Sequence, residues 1–215
     1  MCTKKGQVKK TSLEQYSRPR TNGINAITIK DDDELLEAKL TTGNSQVLIS
    51  VKSGKCIRFE EGKTRPMGRN ASGVRGIKLK DSSDEVVGMI SVNDMDANIL
   101  VVSENGYGKR SSLEDYRLTN RGGKGVKTIS ITTKTGQLVS LKSVTDSDDL
   151  MIINKSGIAI RMQVADLRVM GRATQGVKVI SIKDGDGIAA VAKVMNDEEE
   201  IEDINDIEFT GDTIK

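Results

Sequence analysis

The sequence predicts an all-β chain of four propeller-like repeats followed by an acidic tail. Three observations predict it: two glycine series sharing one period, short β-rich runs between them, and the near absence of helical spacing. The first series is Gly6, Gly54, Gly106 and Gly157, with spacings of 48, 52 and 51 residues. The second is Gly23, Gly73, Gly125 and Gly176, with spacings of 50, 52 and 51. Two independent series at a common period of ~50 residues define a repeat, and about four short strands per such unit mark propeller-type blades. The blades are predicted at approximately 1–42, 43–93, 94–144 and 145–195, and an acidic tail, expected to be disordered, at 196–215.

Each unit opens on an apolar run, namely Val47–Val51, Ile99–Val102 and Leu150–Ile153 in the last three units. The pairs Lys5-Gly6, Ser53-Gly54, Asn105-Gly106 and Ser156-Gly157 then suit a tight hairpin that needs positive φ. A short alternating segment follows and ends on a base. The helix-like spacing in Ser12–Tyr16 and Ser112–Tyr116 predicts a single turn in the connecting loop. After the second glycine come β-rich segments such as Val74–Leu79 and Val177–Ile182, then a strand such as Val86–Val92 that leads into the next unit. Met1-Cys2-Thr3 stands where the other units have an apolar strand. Ile188–Val194 is expected to open a fifth unit that does not develop, so the sequence reads as a fragment of a larger protein.

Composition narrows the function classes. With 36% apolar and 30% charged residues the chain fits a soluble globular protein, and no apolar run is long enough to cross a membrane. The start has no apolar signal region. Cys2 and Cys56 stand alone, which points to a reducing, cytoplasmic setting without disulfides. Histidine is absent, which removes Ser-His and Cys-His nucleophile pairs and most zinc sites. Aromatics are only 2%, too few for the stacking platforms of single-strand binders. The net charge of +2 conceals an asymmetry: residues 196–215 carry nine acids and one base, whereas 1–195 carry 32 bases against 22 acids. A basic body with an acidic tail suggests a polyanion partner and a segment that competes with it.

The bases are locked to the repeat. Four residues after the first glycine stand Lys10, Arg58, Arg110 and Arg161. Eight before the second glycine stand Arg65, Arg117 and Arg168; four before it Arg69, Arg121 and Arg172; two after it Arg75, Lys127 and Lys178. The first unit is two residues shorter here and offers Arg18 and Arg20 instead. Such a set recurs on the same part of every blade and forms a track that matches a line of phosphates better than a small ligand. Some of these arginines are expected to pair with acids such as Glu60, Glu61, Glu114 and Asp166. The run Asn120-Arg121-Gly122-Gly123-Lys124-Gly125 concentrates the signal, with glycines that let backbone amides approach a phosphate and cations that supply charge. Gly68–Gly73 and Gly171–Gly176 start like phosphate loops but lack the following Lys-Ser/Thr, so a nucleotide site is rejected. Tyr16 and Tyr116, and likewise Met67 and Met170, share repeat positions and are read as packing residues. No catalytic or metal-binding set is found.

Glu104–Arg110, Arg65–Ile77 and Val169–Val177 closely resemble the C-terminal domain of the bacterial DNA gyrase A protein, and the likeness covers residues 1–195. The resemblance implies a β-pinwheel, a propeller-like disc whose blades exchange strands. It further implies that duplex DNA wraps around the basic rim with positive handedness, so that ATP-driven strand passage introduces negative supercoils. The family's box, Gln-Arg-Arg-Gly-Gly-Lys-Gly, is normally in the first blade. Thr119–Gly125 match its last five residues, with Thr119 and Asn120 in place of Gln and Arg, and they lie in the third unit. By the same resemblance the partners are double-stranded DNA, the remainder of gyrase A and, through it, gyrase B. The domain would itself hold no cofactor and no catalytic tyrosine, ATP and Mg belonging to other parts of the enzyme, and it would sit in the cytoplasm with the nucleoid. Two alternatives stay open: the corresponding domain of topoisomerase IV, which recruits DNA substrate, and a protein-interaction propeller.

Overall fold

In the computed structural model, residues 1–183 and 185–194 are described, and the predicted acidic tail lies outside them. Repeat one supplies strands β1 (Cys2–Thr3), β2 (Gln7–Val8) and β3 (Leu35–Glu37). Repeat two supplies β4 (Gln46–Val51), β5 (Lys55–Glu60), β6 (Val74–Arg75) and β7 (Val86–Val92). Repeat three supplies β8 (Asn98–Ser103), β9 (Tyr107–Ser112), β10 (Val126–Lys127) and β11 (Leu138–Val144). Repeat four supplies β12 (Asp149–Asn154), β13 (Ala159–Gln163), β14 (Val177–Lys178) and β15 (Ile188–Val194). The predicted turns are short 3-10 helices at Leu13–Tyr16 and Leu113–Asp115, and matching turns lie at Glu61–Lys63 and Val164–Asp166.

The four sheets run β3-β1-β2-β6, β7-β4-β5-β10, β11-β8-β9-β14 and β15-β12-β13. Each of the first three therefore ends on a strand borrowed from the following repeat. Val74 pairs with Val8, Val126 with Cys56, and Val177 with Gly108, all antiparallel. The second glycine of each repeat makes this seat possible. Gly73, Gly125 and Gly176 have φ of +89°, +70° and +81°, and a Cβ on any of them would meet a carbonyl of the preceding blade at 2.5, 2.5 and 2.6 Å. Only glycine fits that combination.

The strands β7, β11 and β15 contact one another in series, with β3 against β7, so they form the inner side and the borrowed strands form the outer edge. The cores lie between the blades. Val47, Ile49 and Val51 face blade one together with Cys2 and Val8, whereas Leu48 faces blade three with Ile99 and Val101. Leu100 and Val102 in turn face blade four with Leu150 and Ile152. Alternate residues serve opposite interfaces, which is why these strands read as unbroken apolar runs and not as alternating ones. Each such side chain contributes roughly 1.5–3 kcal/mol on burial. One reading of the sequence is corrected here: Ile188–Val194 opens no fifth unit. It pairs with β12 from Asp149↔Val194 to Asn154↔Ile188 and is the inner strand of blade four.

The interface between blades one and two is less filled than its neighbours. Leu113 and Tyr116 plug the junction of blades two and three, and Val164 and Leu167 that of three and four. The corresponding residues of repeat two are polar, Glu61 and Thr64, and they line a cavity of about 710 Å³ together with Met1, Lys9–Leu13 and Ala38–Gly43.

Candidate nucleic-acid interface

The stretch from each one-turn helix to its donated strand lies along the outer edge of the preceding blade. At one end, the N–H groups of Met67, Thr119 and Met170 donate to the carbonyls of Lys10, Arg58 and Arg110 at 2.8, 2.9 and 2.8 Å. At the other, Gly76, Thr128 and Val179 donate to Gly6, Gly54 and Gly106 at 2.8, 2.9 and 2.8 Å. Successive stretches are also bonded to each other: Thr28 N–H to Ala71, Lys78 to Gly123, and Ser130 to Thr174. The result is one backbone belt running over the blades, with the same residue positions recurring on each.

Four situations divide the expected cations along this belt. Arg65, Arg117 and Arg168, and Arg75, Lys127 and Lys178, are exposed. Their side chains make no hydrogen bond or ion pair among the described residues. Arg18, Arg20 and Asn120 are exposed as well, and Lys10 is half-buried. Arg69, Arg121 and Arg172 are half-buried and clasp the belt, each donating from Nη1 to the carbonyl two residues past the second glycine of the previous repeat: Asn25 at 3.2 Å, Arg75 at 3.0 Å and Lys127 at 2.8 Å. Arg121 and Arg172 add Nε bonds to the Lys63 and Asp115 carbonyls.

Arg58 and Arg110 depart from the expectation. They are 8% and 6% exposed, so neither guanidinium is on the free face of the belt. Arg58 donates to Gln46 Oε1 and to the carbonyls of Leu113 and Tyr116, and Arg110 to the Leu167 carbonyl and to Asp146. Each thus caps the one-turn helix of the next repeat, giving a donor to the Tyr116 or Leu167 carbonyl at the end of the turn. Burial draws the Arg58 guanidinium below its usual range, opposed by the charge of Glu114. In blade four the equivalent Arg161 is more exposed and pairs with Asp149 at 2.6 Å. The acids expected to absorb these arginines, Glu60, Glu61, Glu114 and Asp166, form none of the ion pairs found among the described residues; backbone carbonyls of the next repeat do most of that work.

The glycine-rich loop also reads differently in three dimensions. Gly122 has φ +82° and its N–H is already donated to the Gly76 carbonyl at 2.6 Å, so that amide is not offered to a phosphate. Gly125 is the seat glycine of the borrowed strand. Gly123 and Lys124 are exposed, and a recess of about 310 Å³ lies below them, lined among others by Arg58, Arg117, Asn120 and Lys124. What the loop presents outward is therefore charge from Lys124 and Arg117 more than free amides.

Sequence reasoning passed over two buried lysines. Lys9 and Lys109 occupy the position held by Ile57 and Ile160 in the other repeats, and they are 3% and 0% exposed. Lys109 Nζ donates to the Gly171 carbonyl at 2.6 Å, Lys9 to Ala26 and Arg69. Burial pulls Lys109 down to about 8 and lowers Lys9. The signal available was the alternation of Lys and Ile at one repeat position. Both cysteines are buried thiols, and burial pushes Cys2 up to about 12. No group of potential metal ligands occurs among the described residues, and no helix among them is long and apolar enough to cross a membrane.

Strand-exchanging blades with a cation-bearing outer belt place this chain among propeller-type repeat domains with a charged rim. A sequence profile described as the DNA gyrase C-terminal domain, beta-propeller, matches residues 1–42, 52–93, 97–145 and 148–195, and the chain belongs to this family. It is 46% identical over 200 residues to the DNA gyrase A protein of Staphylococcus epidermidis (strain ATCC 12228 / FDA PCI 1200), and 48% over 201 residues to that of Staphylococcus aureus (strain MRSA252). These alignments take in 93% of this chain but only 22% of either relative. Among solved structures, a DNA gyrase A C-terminal domain superposes with a TM-score of 0.79 at 26% identity, over 90% of this chain and 64% of that one. The C-terminal domain of a DNA topoisomerase IV superposes at 0.87 with 23% identity, over 95% and 64%, a likeness of fold.

Proposed function

We propose that the outer belt binds duplex DNA and wraps it with positive handedness, as the DNA-wrapping part of a gyrase-type topoisomerase. The observation that carries this is the recurrence of exposed, uncommitted cations at the same two belt positions in three consecutive repeats: Arg65 and Arg75, Arg117 and Lys127, Arg168 and Lys178. Between each pair lies the clasping arginine, Arg69, Arg121 or Arg172. A belt fixed by backbone bonds holds the Cα positions of these cations in register, leaving only their side chains to be ordered on binding, so duplex phosphates can be neutralised in succession. Bending a duplex through 40–90° costs on the order of 1–6 kcal/mol, and contacts repeated on every blade offset it. Lys124 and Arg117 would make the third repeat the most strongly charged station. Arg58 and Arg110 act indirectly, by holding the next repeat's turn in place.

In this reading ATP, Mg and the DNA-cleaving tyrosine belong to other parts of the enzyme, namely the rest of gyrase A together with gyrase B, and the working compartment is the cytoplasm. The identity of 46–48% to gyrase A, together with Arg121–Gly125, favours gyrase over topoisomerase IV. Nicked-circle ligation in the presence of this chain tests the proposal: wrapping shifts the linking number of the sealed circles in the positive direction. Binding without a shift would favour a domain that recruits DNA, as in the topoisomerase IV alternative. Loss of neither binding nor shift on replacing Arg65, Arg117 and Arg168 together would sink the belt.

A further inference from the structure

Two of the large apolar side chains exposed among the described residues share one repeat position. Leu118 and Val169 are 46% and 51% exposed, and each directly follows the exposed arginine of its belt segment, Arg117 or Arg168. In repeat two the same position is Pro66, exposed and preceded by the exposed Arg65. The remaining ones follow no such pattern: Leu13, Ile29, Leu35 and Leu40 belong to repeat one, Met95 to the turn between β7 and β8, and Ile158 to the hairpin of blade four. The backbone at the shared position is fixed. Parallel bridges join Pro66 to Lys10, Leu118 to Arg58 and Val169 to Arg110, which holds all three residues on the outer edge of the blades. A lone apolar side chain on a surface is ordinary. One that recurs beside the same arginine in three consecutive repeats fits a partner that meets each blade in the same way.

We propose, resting on the reading of the belt as a duplex-binding surface, that Pro66, Leu118 and Val169 pack on the deoxyribose rings beside the phosphates that Arg65, Arg117 and Arg168 neutralise. The long arginine reaches sideways to a phosphate while its short apolar neighbour meets the sugar between one phosphate and the next. Deoxyribose offers C–H faces there and no 2′-hydroxyl, so an apolar side chain covers it without stranding a polar group.

Two other apolar contacts with a duplex fit less well. Base edges lie at the floor of grooves about 7.5–8.5 Å deep, beyond the reach of Pro, Leu and Val side chains held at the backbone. A wedge inserted between base steps from the minor groove kinks the duplex toward its major groove, away from the inserting surface, and so opposes wrapping. Contact with the sugars is blind to base sequence. It also releases no counterion, so it adds to affinity without adding to the salt dependence that the arginines create.

Duplex titrations of the whole chain over a salt series test this contact separately from the belt itself. Leu118→Ser with Val169→Ser is expected to weaken binding about tenfold at every salt concentration, giving a log–log line parallel to that of the wild type. Leu118→Ile with Val169→Ile keeps an apolar side chain at both places and should bind as the wild type does. Both pairs should keep the wild-type unfolding midpoint, since these side chains lie outside the cores. Duplexes made only of A·T or only of G·C pairs should show the same loss. Unchanged affinity of the serine pair would overturn the sugar contact and leave the belt standing. A changed slope would show that these residues act by holding the arginines, and a loss confined to A·T duplexes would point to thymine methyl groups; either result overturns the proposal. A wild-type chain whose affinity ignores salt would remove the belt, and this contact with it.

Discussion

The repeat-locked arginines do not all share one role, and burial separates one repeat position from another. Arg58 is locked among backbone carbonyls at 8% exposure, whereas Arg117 is exposed and uncommitted. Arg58→Ala should therefore destabilise the fold by about 2–4 kcal/mol, since it leaves the buried Tyr116 carbonyl without the guanidinium donor and removes the second donor of the Leu113 carbonyl. Arg117→Ala should leave stability within about 0.5 kcal/mol and weaken duplex binding; urea unfolding and a binding titration on the same two variants separate the roles. Lys109 gives a pH signature. Its cationic form is disfavoured in the fold, with a value near 8 against 10.5 when exposed, so the unfolded chain holds the proton more tightly between those values. Stability should rise as pH increases from about 8 to above 10 and be flat below that window as far as this group is concerned. Lys109→Ile, which copies the residue found at this position in repeats two and four, should raise stability at neutral pH and remove the rise, as followed by chemical denaturation at several pH values.

At the scale of the element, the borrowed strand is only two residues long, and its glycine determines whether it can dock. Gly125→Ala would set a Cβ 2.5 Å from the Cys56 carbonyl at φ +70°. The same change at Gly23 meets open space at φ +80°. Both carry the left-handed backbone cost of roughly 1–2 kcal/mol, but only Gly125→Ala adds a steric conflict with a neighbouring blade. The expected outcome is a clearly lower unfolding midpoint for Gly125→Ala than for Gly23→Ala, and equal midpoints would argue against the seat. The glycines, the hairpins and the one-turn helices were legible in the sequence because each depends on local backbone demands that residue type records. Strand ownership was not. Val126-Lys127 carries no mark saying that its partner is Cys56 of the previous repeat, and Ile188–Val194 looks like an opening strand because inner and opening strands are both apolar. The burial of Arg58 and Arg110 was hidden for a related reason: it is created by the turn of the following repeat, some 55 residues away.

For the whole molecule, the belt sums small contributions into one electrostatic surface. If the six exposed arginines and lysines at its two repeated positions each neutralise one phosphate, the log–log slope of affinity against salt should be about −5. Replacing any one of them should reduce that slope by about one, whereas Arg58→Lys should not alter it. The acidic residues 196–215 would compete for the same surface, so a chain ending at residue 195 should bind duplex more tightly at low salt, with the difference vanishing as salt rises. The exchange of strands carries a further consequence for how such a molecule is made. Val74 reaches its partner Val8 only after the rest of repeat one and the first half of repeat two have been synthesised. At about 5–20 residues per second, the stretch of about 66 residues from Val8 to Val74 occupies the ribosome for roughly 3–13 s. During that interval each nascent blade presents a bare hydrogen-bonding edge, and the order of translation becomes the order of closure.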